Sequence, residues 1–371
     1  MRVALVHDWL TGMRGGEKVL ERLCEVFPEA ELFTLLHVAG SVSPLIEARP
    51  IHTAFTQHLP FARRAYRNYL PIFPAAIERF DFRGYDLVVS CSHCVAKSVI
   101  VPAGVPHLCY CLTPMRYAWD QFDAYFGPAK VGPVMSAVMR PVMARMARWD
   151  QATSCRASRY LAISQYVARR IGLYYNRQSA VVFPPVDTDY FTPGHEAPGS
   201  TFVIVSALVP YKRLEVAIDA AHRAGVSLDI IGDGPERVAL EARATRGTGV
   251  RLLGRLDDAT VRERYRTAAA VLLPGEEDFG IVPVEAQATG RPVIALGRGG
   301  ALETVIDGQT GTLVASDDAD AWAAALTQAL SRSWDASLIR RHAEGFGHDR
   351  FRAEFRHAVD ELLAAPGGTQ W

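Results

Sequence analysis

The chain has 371 residues, with 40 Lys+Arg against 40 Asp+Glu and 49% hydrophobic content. That balance excludes an intrinsically disordered chain, which needs low hydrophobicity and high net charge, and a strongly basic nucleic-acid binder. The length predicts about two domains, each large enough to bury its own core. The neutrality is uneven: residues 1–190 hold 21 Lys+Arg and 15 Asp+Glu, so the first half is basic and the second acidic.

In chain order, the opening MRVALVHDWL passes from one Arg into a strand, and no cleavable leader is expected. Val3 to Val6 predicts a strand feeding a helix from about Gly16 to Phe27, and Leu87 to Ser90 and Leu108 to Cys111 predict later strands. The six cysteines include Cys91 and Cys94, and Cys109 and Cys111, at the ends of apolar strands. There they read as small buried thiols of a reducing cytoplasm rather than as zinc ligands.

The most apolar stretch, Val131 to Met146, is interrupted by Arg140 and Arg145, with Arg148 just beyond, so no membrane span is expected. From Arg140 to Arg177 the chain carries eight Arg and one acidic residue, Asp150. The pattern fits either a solvated helix at the domain edge or a peripheral contact with an anionic membrane surface.

The Pro- and Gly-rich FPPVDTDYFTPGHEAPGS marks a linker. Within it Asp187 and Asp189 resemble a metal-binding acid pair but lie away from any strand end, so no metal is expected there. Beyond it TFVIVSAL, a helix from about Leu214 to Arg223, SLDIIGDG, VRLLGRL, AAVLLPG and PVIAL predict a second doubly wound unit. The final PGGTQW reads as a frayed tail.

Chemistry-bearing residues cluster at the carboxyl ends of these strands. Glu277 and Glu285 flank Phe279, Gly280, Ile281 and Val282 where AAVLLPG leads into a helix. Pro283 suits the first turn, which would place Glu285 in that turn and the 279–281 amides at an anion-binding helix end. Lys212 and Arg213 stand at the start of the Leu214 helix, where cations are unfavourable unless an anion such as a diphosphate sits between them. A salt bridge from this pair to Glu215 or Asp219 is the structural alternative.

Gly232 begins a glycine turn, GDGP, that suits a nucleotide or an ordinary loop equally. In the first half, His7 and Asp8 end the first strand, and Gly15 and Gly16 open the next helix, allowing close backbone approach by a ligand. Arg116, Tyr117, Trp119 and Asp120 put a cation, two aromatics and a carboxylate together, as a sugar-binding surface requires.

Together these segments resemble a retaining glycosyltransferase of family 4. EDFGIVPVEAQATGRPVIA, with seven residues between Glu277 and Glu285, is the most specific part, supported by LVPYKR, IIGDGP, the Gly15-Gly16-Glu17 loop and PPVDTDYF. ERFDFRGYDLVVS and TPMRYAWD are similar to the mannosyltransferase-like branch that builds bacterial surface polysaccharides.

The resemblance implies the α/β fold called GT-B, two Rossmann-like doubly wound parallel-sheet domains facing a central cleft. Its expected divisions are an acceptor domain over 1–185, a donor domain over 186–345, and a C-terminal helix in 346–371 returning to the first domain on Phe351 and Phe355. It implies a nucleotide-diphosphate sugar, GDP-mannose, as donor and a saccharide or lipid-linked saccharide as acceptor. No metal or other cofactor is expected, and the setting is cytoplasmic with peripheral contact at the inner face of the membrane.

By the same resemblance Glu285 binds the donor ribose, Glu277 the transferred sugar and Lys212 the diphosphate. Base recognition falls to backbone groups around Leu256, Gly15 and Gly16 also approach the donor, and the acceptor lies over the first domain near His7, the glycine loop and Arg116, Tyr117, Trp119 and Asp120. Asp8 is the one carboxylate to test as a nucleophile; otherwise retention follows front-face attack. Two positions depart from the pattern. CYCLTP has Leu112 where relatives have His, and Ser206-Ala207 replaces a Gly-Arg pair, with Arg213 a candidate substitute for the missing guanidinium. These departures motivate the alternatives of an altered donor, such as a UDP-sugar, or a nucleotide-sugar-binding protein without transferase activity. A sugar epimerase or phosphorylase of the same fold is a third reading.

Overall fold

The computed structural model describes residues 1–364; the PGGTQW tail lies outside the described residues. The chain forms two compact units, one of Met1–Pro185 together with the chain from Phe351, the other of Val186–Arg350.

Unit 1 holds seven parallel strands: β1 (Val3–His7), β2 (Glu31–Thr34), β3 (Ile51–Thr53), β4 (Leu87–Ser92), β5 (His107–Cys111), β6 (Arg159–Ala162) and β7 (Ser179–Val181). They lie in the order β3-β2-β1-β4-β5-β6-β7. Unit 2 holds six: β8 (Phe202–Val205), β9 (Leu228–Ile231), β10 (Val250–Gly254), β11 (Val271–Leu273), β12 (Val293–Leu296) and β13 (Gly311–Val314), in the order β10-β9-β8-β11-β12-β13. β1, β4, β5, β9, β11 and β12 are buried along their whole lengths, as the continuous apolar runs VALVH, LVVSCS and VIAL require of strands covered on both faces.

The helices that matter below are α1 (Gly15–Val26), α2 (Pro133–Ala152), α3 (Gln165–Tyr175), α4 (Leu214–Ala224), α5 (Asp258–Thr267), α6 (Ile281–Ala288), α7 (Ala319–Ser331) and α8 (His348–Ala364). α1 and α4 follow their units' first strands and bury Val19, Leu20 and Leu23, and Leu214, Ala217 and Ile218, on one face. In unit 2 fully buried Trp322 of α7 anchors the core, and its indole N–H is satisfied by the Ser316 carbonyl at 3.1 Å.

α8 belongs to unit 1. Phe351 and Phe355, four residues apart and fully buried, meet Tyr110 of β5 with ring centroids at 5.7 and 5.9 Å. Phe355 also meets Phe27, just past α1, at 6.3 Å. Burying two such rings contributes roughly 3–6 kcal/mol before entropy is counted.

Each sheet reverses strand order once, between β1 and β4 and between β8 and β11. At such a switch point the flanking loops run to opposite faces and leave a crevice beyond the carboxyl ends of the strands. Functional side chains are therefore to be sought after β1, β4, β8 and β11.

Candidate active site

At the unit 2 switch point, the loop after β8 ends in a short 3₁₀ turn, Pro210–Lys212, and the loop after β11 carries Glu277. The Lys212 ammonium and Glu277 carboxylate form an ion pair, with both side chains more than four-fifths shielded. Glycines bring the loops this close. A Cβ on Gly275 would lie 2.6 Å from the Lys212 Cα, and one on Gly300 would lie 2.3 Å from the Phe279 Cα. The Gly300 amide also donates to the Glu277 carbonyl at 2.8 Å. The loop carrying Glu277 is thus held between two backbones, and only glycine permits that approach.

The GRGG run after β12 was not singled out from the sequence, although a glycine cluster directly after an apolar strand was the available signal.

Gly280 takes φ +90° as the N-cap of α6, which no side chain caps, with Phe279 just before it and Ile281 and Val282 in the first turn. Glu285 requires a correction. α6 begins at Ile281, which makes Glu285 its fifth residue and puts it in the second turn. Its carboxylate is buried and accepts from the Tyr265 hydroxyl of α5 at 3.4 Å. Burial, with the Glu285 charge adding to it, pushes the Tyr265 phenol well above its ordinary pKa and keeps it a donor.

Arg213 lies at the N-cap of α4. It sits at φ +53°, and its guanidinium is bound by Glu215 at 2.8 Å and Asp317 at 2.7 Å. Of the two salt-bridge partners named from the sequence, Glu215 is present, whereas Asp219 pairs with Arg243 and Asp317 takes its place. Gly232, at φ +140°, is required by the protein itself, since a Cβ there would meet the Ser206 carbonyl oxygen. Leu256 is half-buried in the β10–α5 loop, beside the N-cap Asp257 that accepts the Thr260 amide at 2.8 Å. Asp187 caps a turn by accepting the Tyr190 amide at 3.0 Å.

Unit 1 contains the second switch point, and there Asp8 is corrected outright. It is fully buried: one carboxylate oxygen accepts the amides of His93 and Cys94 at 2.8 and 2.9 Å, the other those of Val95 and Ala96 at 2.6 and 2.8 Å. His93 Nδ1 lies 3.2 Å away. A carboxylate closing the turn after β4 with four amide bonds is shut off from any sugar and cannot act as a nucleophile.

His7 is equally buried, with Nδ1 on the Cys91 carbonyl at 3.0 Å and Nε2 3.8 Å from Glu17. Burial opposes its charge, but the Cys91 and Glu17 interactions outweigh burial and hold the imidazole well above its ordinary pKa. Burial likewise works against the Glu17 carboxylate, and His7 overrides it, lowering the Glu17 pKa. The two form a buried ion pair.

Gly15 and Gly16 are the first residues of α1. A Cβ on Gly16 would lie 3.0 Å from Leu112 Cδ1 and 3.5 Å from His7 Cε1, so Leu112 packs over the glycine loop beside His7.

The 113–120 loop is latched internally, which narrows its expected part in acceptor binding. Tyr117 OH meets Cys94 Sγ at 2.5 Å, and the Trp119 indole donates to Asp150 at 2.8 Å and stacks on Tyr174 at 4.7 Å. Asp120 pairs with Arg170 at 2.7 Å, and Arg170 also reaches Thr113 at 2.8 Å. Arg116 opens the short helix Arg116–Trp119 in the same loop. Asp150 is fully buried and paired with Lys97 at 2.9 Å.

The arginines from 140 to 177 do not share one face. Arg156, Arg159 and Arg170 pair with Glu78, Glu361 and Asp120, whereas Arg140, Arg145, Arg148 and Arg169 are exposed.

Residues 199–332 match the family model described as Glycosyl transferases group 1. Among curated relatives, the D-inositol 3-phosphate glycosyltransferase of Geodermatophilus obscurus is 31% identical over 242 residues, 56% of this chain and 52% of the relative. That of Mycolicibacterium smegmatis is 36% identical over 208 residues, 50% of this chain and 46% of the relative. The matches span about half the length of these relatives.

Among solved structures, Anabaena Alr3699/HepE in complex with UDP-glucose aligns with TM-score 0.72 at 18% identity, covering 97% of this chain and all of that one. The lipopolysaccharide outer core galactosyltransferase WaaB, in its apo form, aligns with TM-score 0.67 at 17% identity, covering 97% and 99%. The chain therefore has the two-unit α/β fold of GT-B glycosyltransferases, and its second unit carries a group 1 glycosyltransferase domain.

Proposed function

We propose that this chain is a retaining glycosyltransferase that moves a sugar from a nucleotide-diphosphate donor to a saccharide or lipid-linked saccharide. The observation that carries the reading is the Lys212–Glu277 ion pair at the β8/β11 switch point, beside the open end of α6. A donor diphosphate would take Lys212 and the α6 amides, freeing Glu277 for the hydroxyls of the transferred sugar and leaving Glu285 for the ribose. Fixed positive charge then stabilises the diphosphate as it leaves. With Asp8 committed to four amides, the acceptor hydroxyl attacks from the face the diphosphate departs. The C1–O bond to phosphate breaks, the C1–O bond to the acceptor forms, and the phosphate takes the hydroxyl proton.

GDP-mannose is the donor the sequence resemblance favours. A UDP-sugar is the second reading, favoured by the UDP and UDP-glucose complexes of HepE, which has this fold. The acceptor would lie over unit 1, near His7, Gly15, Gly16 and Arg116. Peripheral membrane contact falls to α2, whose first turns expose Val134, Met135 and Val138 next to Arg140. No helix among the described residues is long and apolar enough to cross a membrane.

Calorimetry with GDP, UDP, ADP and their common sugar conjugates, with and without magnesium, tests the reading. One nucleotide should bind without metal, and Lys212→Ala should weaken it. Glu277→Gln should keep nucleotide binding and lose transfer. Full transfer by both variants would discard the site, and binding without product from any acceptor would favour a non-catalytic nucleotide-sugar-binding protein.

A further inference from the structure

We propose that a cavity at the amino ends of the unit 2 strands, built on Arg291, is a binding site for a small phosphate-bearing anion. It is separate from the Lys212–Glu277 site and does not depend on the transferase reading. The cavity, about 210 Å³, is lined by Arg291, Arg332, Ser333 and Trp334 together with Gly290 and Ala336. No acidic residue lines it among the described residues. Arg291 stands just before β12, whereas Lys212 and Glu277 follow the carboxyl ends of β8 and β11.

Arg291 itself points to a missing ligand. Only 8% of it is exposed, and its guanidinium has no hydrogen bond or ion pair among the described residues. Nε is sealed from solvent; the two terminal nitrogens are not, and Arg291 presents them to the cavity it lines. Burial lowers its pKa with no neighbouring charge to offset it, yet an arginine stays protonated in a protein. A charge so far out of water is ordinarily paired. The end of α6 does not supply the partner. The carbonyls of Ala286, Gln287 and Ala288 already accept from the Arg291 amide at 3.2 Å, the Gly290 amide at 2.8 Å and the Arg340 guanidinium at 2.8 Å.

The other lining groups suit an anion. Arg332, the residue just past α7, donates to the Gly308 carbonyl, and its guanidinium lies over the Trp334 ring at 4.6 Å, which holds the fork in place. Asp335, the next acidic residue along the chain, is committed to the Ser337 and Leu338 amides at 2.9 and 3.0 Å. Two guanidinium groups and the Ser333 hydroxyl around one small space fit a phosphate, whose three terminal oxygens accept from several donors at once. A carboxylate matches one fork only, and a halide has no direction. The volume lies below the roughly 300–1,000 Å³ of pockets that enclose a drug-sized ligand. A nucleotide sugar is therefore too large, and inorganic phosphate or the phosphate end of a small ester fits.

Calorimetry of inorganic phosphate, at an ionic strength fixed with chloride, on the wild type, Arg291→Gln, Ser333→Asp and Lys212→Ala tests the site. Ser333 is exposed, so Ser333→Asp should fold as the wild type does, and it sets a carboxylate among the arginines in the anion's place. The expected result is saturable binding by the wild type, weakened about tenfold or more in Arg291→Gln and in Ser333→Asp and unchanged in Lys212→Ala. Melting temperatures should follow, with phosphate stabilising the wild type and Lys212→Ala more than the other two.

No saturable binding, equal binding by wild type and Ser333→Asp, or loss only in Lys212→Ala would overturn the site. If Arg291→Gln fails to fold, Ser333→Asp decides alone. Glucose 6-phosphate on the same four proteins identifies the source of the phosphate. Binding that repeats the Arg291 dependence marks a phosphate ester, binding of inorganic phosphate alone marks the free ion, and either supports the proposal.

Discussion

The two switch points of this molecule use the same ingredients to opposite ends. After β8 and β11, Lys212 and Glu277 form an ion pair with 14% and 17% of their side chains exposed, and the Lys212 ammonium also lies over the Tyr211 ring at 5.1 Å. After β1 and β4, Asp8 holds four amides, His7 and Glu17 hold each other, and none of the three reaches solvent appreciably. A charged residue at the carboxyl end of a parallel strand is thus no functional assignment in itself. What separates the cases is whether its partner can be exchanged for a ligand. One ion pair between partly exposed side chains can be; four short bonds to backbone amides cannot.

The sharpest break of that comparison is Lys212→Ala. If the unit 2 pair is the exchangeable one, transfer should fall by about a thousandfold, the order seen when one donor to a developing oxyanion is removed. Single-turnover rates with the bound donor check this, and a loss of less than tenfold would mean that the ammonium is structural.

Next comes Asp8→Asn, which sets an amide NH₂ against backbone N–H groups in a buried turn. It should cost about 3 kcal/mol of unfolding free energy in urea and leave nucleotide affinity unchanged. A variant with native stability and no turnover would restore Asp8 to the chemistry.

His107 offers a pH test of how dry unit 1 is. Its Nδ1 donates to the Arg156 carbonyl at 3.3 Å, so Nε2 accepts from the Ser90 hydroxyl at 2.8 Å and the ring is held neutral. Burial lowers its pKa to about 4, against 6.5 for the ordinary group. A depressed folded pKa means that its contribution is complete above pH 6.5 and is lost as pH falls toward 4. The loss should approach about 3 kcal/mol. Urea midpoints of wild type and His107→Gln across that window check it, the variant showing the flatter profile.

The smallest effect is expected at Arg213. Its partners, like Arg213 itself, are well exposed, so Arg213→Gln should change stability by no more than about 1 kcal/mol and transfer by less than about threefold. A hundredfold loss of transfer would return the guanidinium to the diphosphate.

Much of the fold was legible because a parallel sheet buried on both faces writes itself as continuous apolar runs. VALVH, LVVSCS, LDII and VIAL fall where those runs predicted, and the helix expected over about 214–223 runs from Leu214 to Ala224. β2, β3, β6, β7 and β13, each of three or four residues, were not predicted. Runs so short carry too few apolar residues to show a period, and the ladder with a neighbouring strand defines them.

The candidate site divides the same way. The sequence by itself determined which chemical groups stand at the strand ends, because strand, turn and helix periods place Lys212, Glu277, Phe279, Gly280, Asp8 and His7 there from local pattern alone. Only the tertiary structure decided which of them are spent. That Glu215 and Asp317 claim Arg213, that the amides from 93 to 96 claim Asp8, and that Gly275 and Gly300 press Glu277 toward Lys212 are contacts between segments up to about a hundred residues apart. Their energies depend on distance and burial, quantities that arise only when the chain has closed on itself.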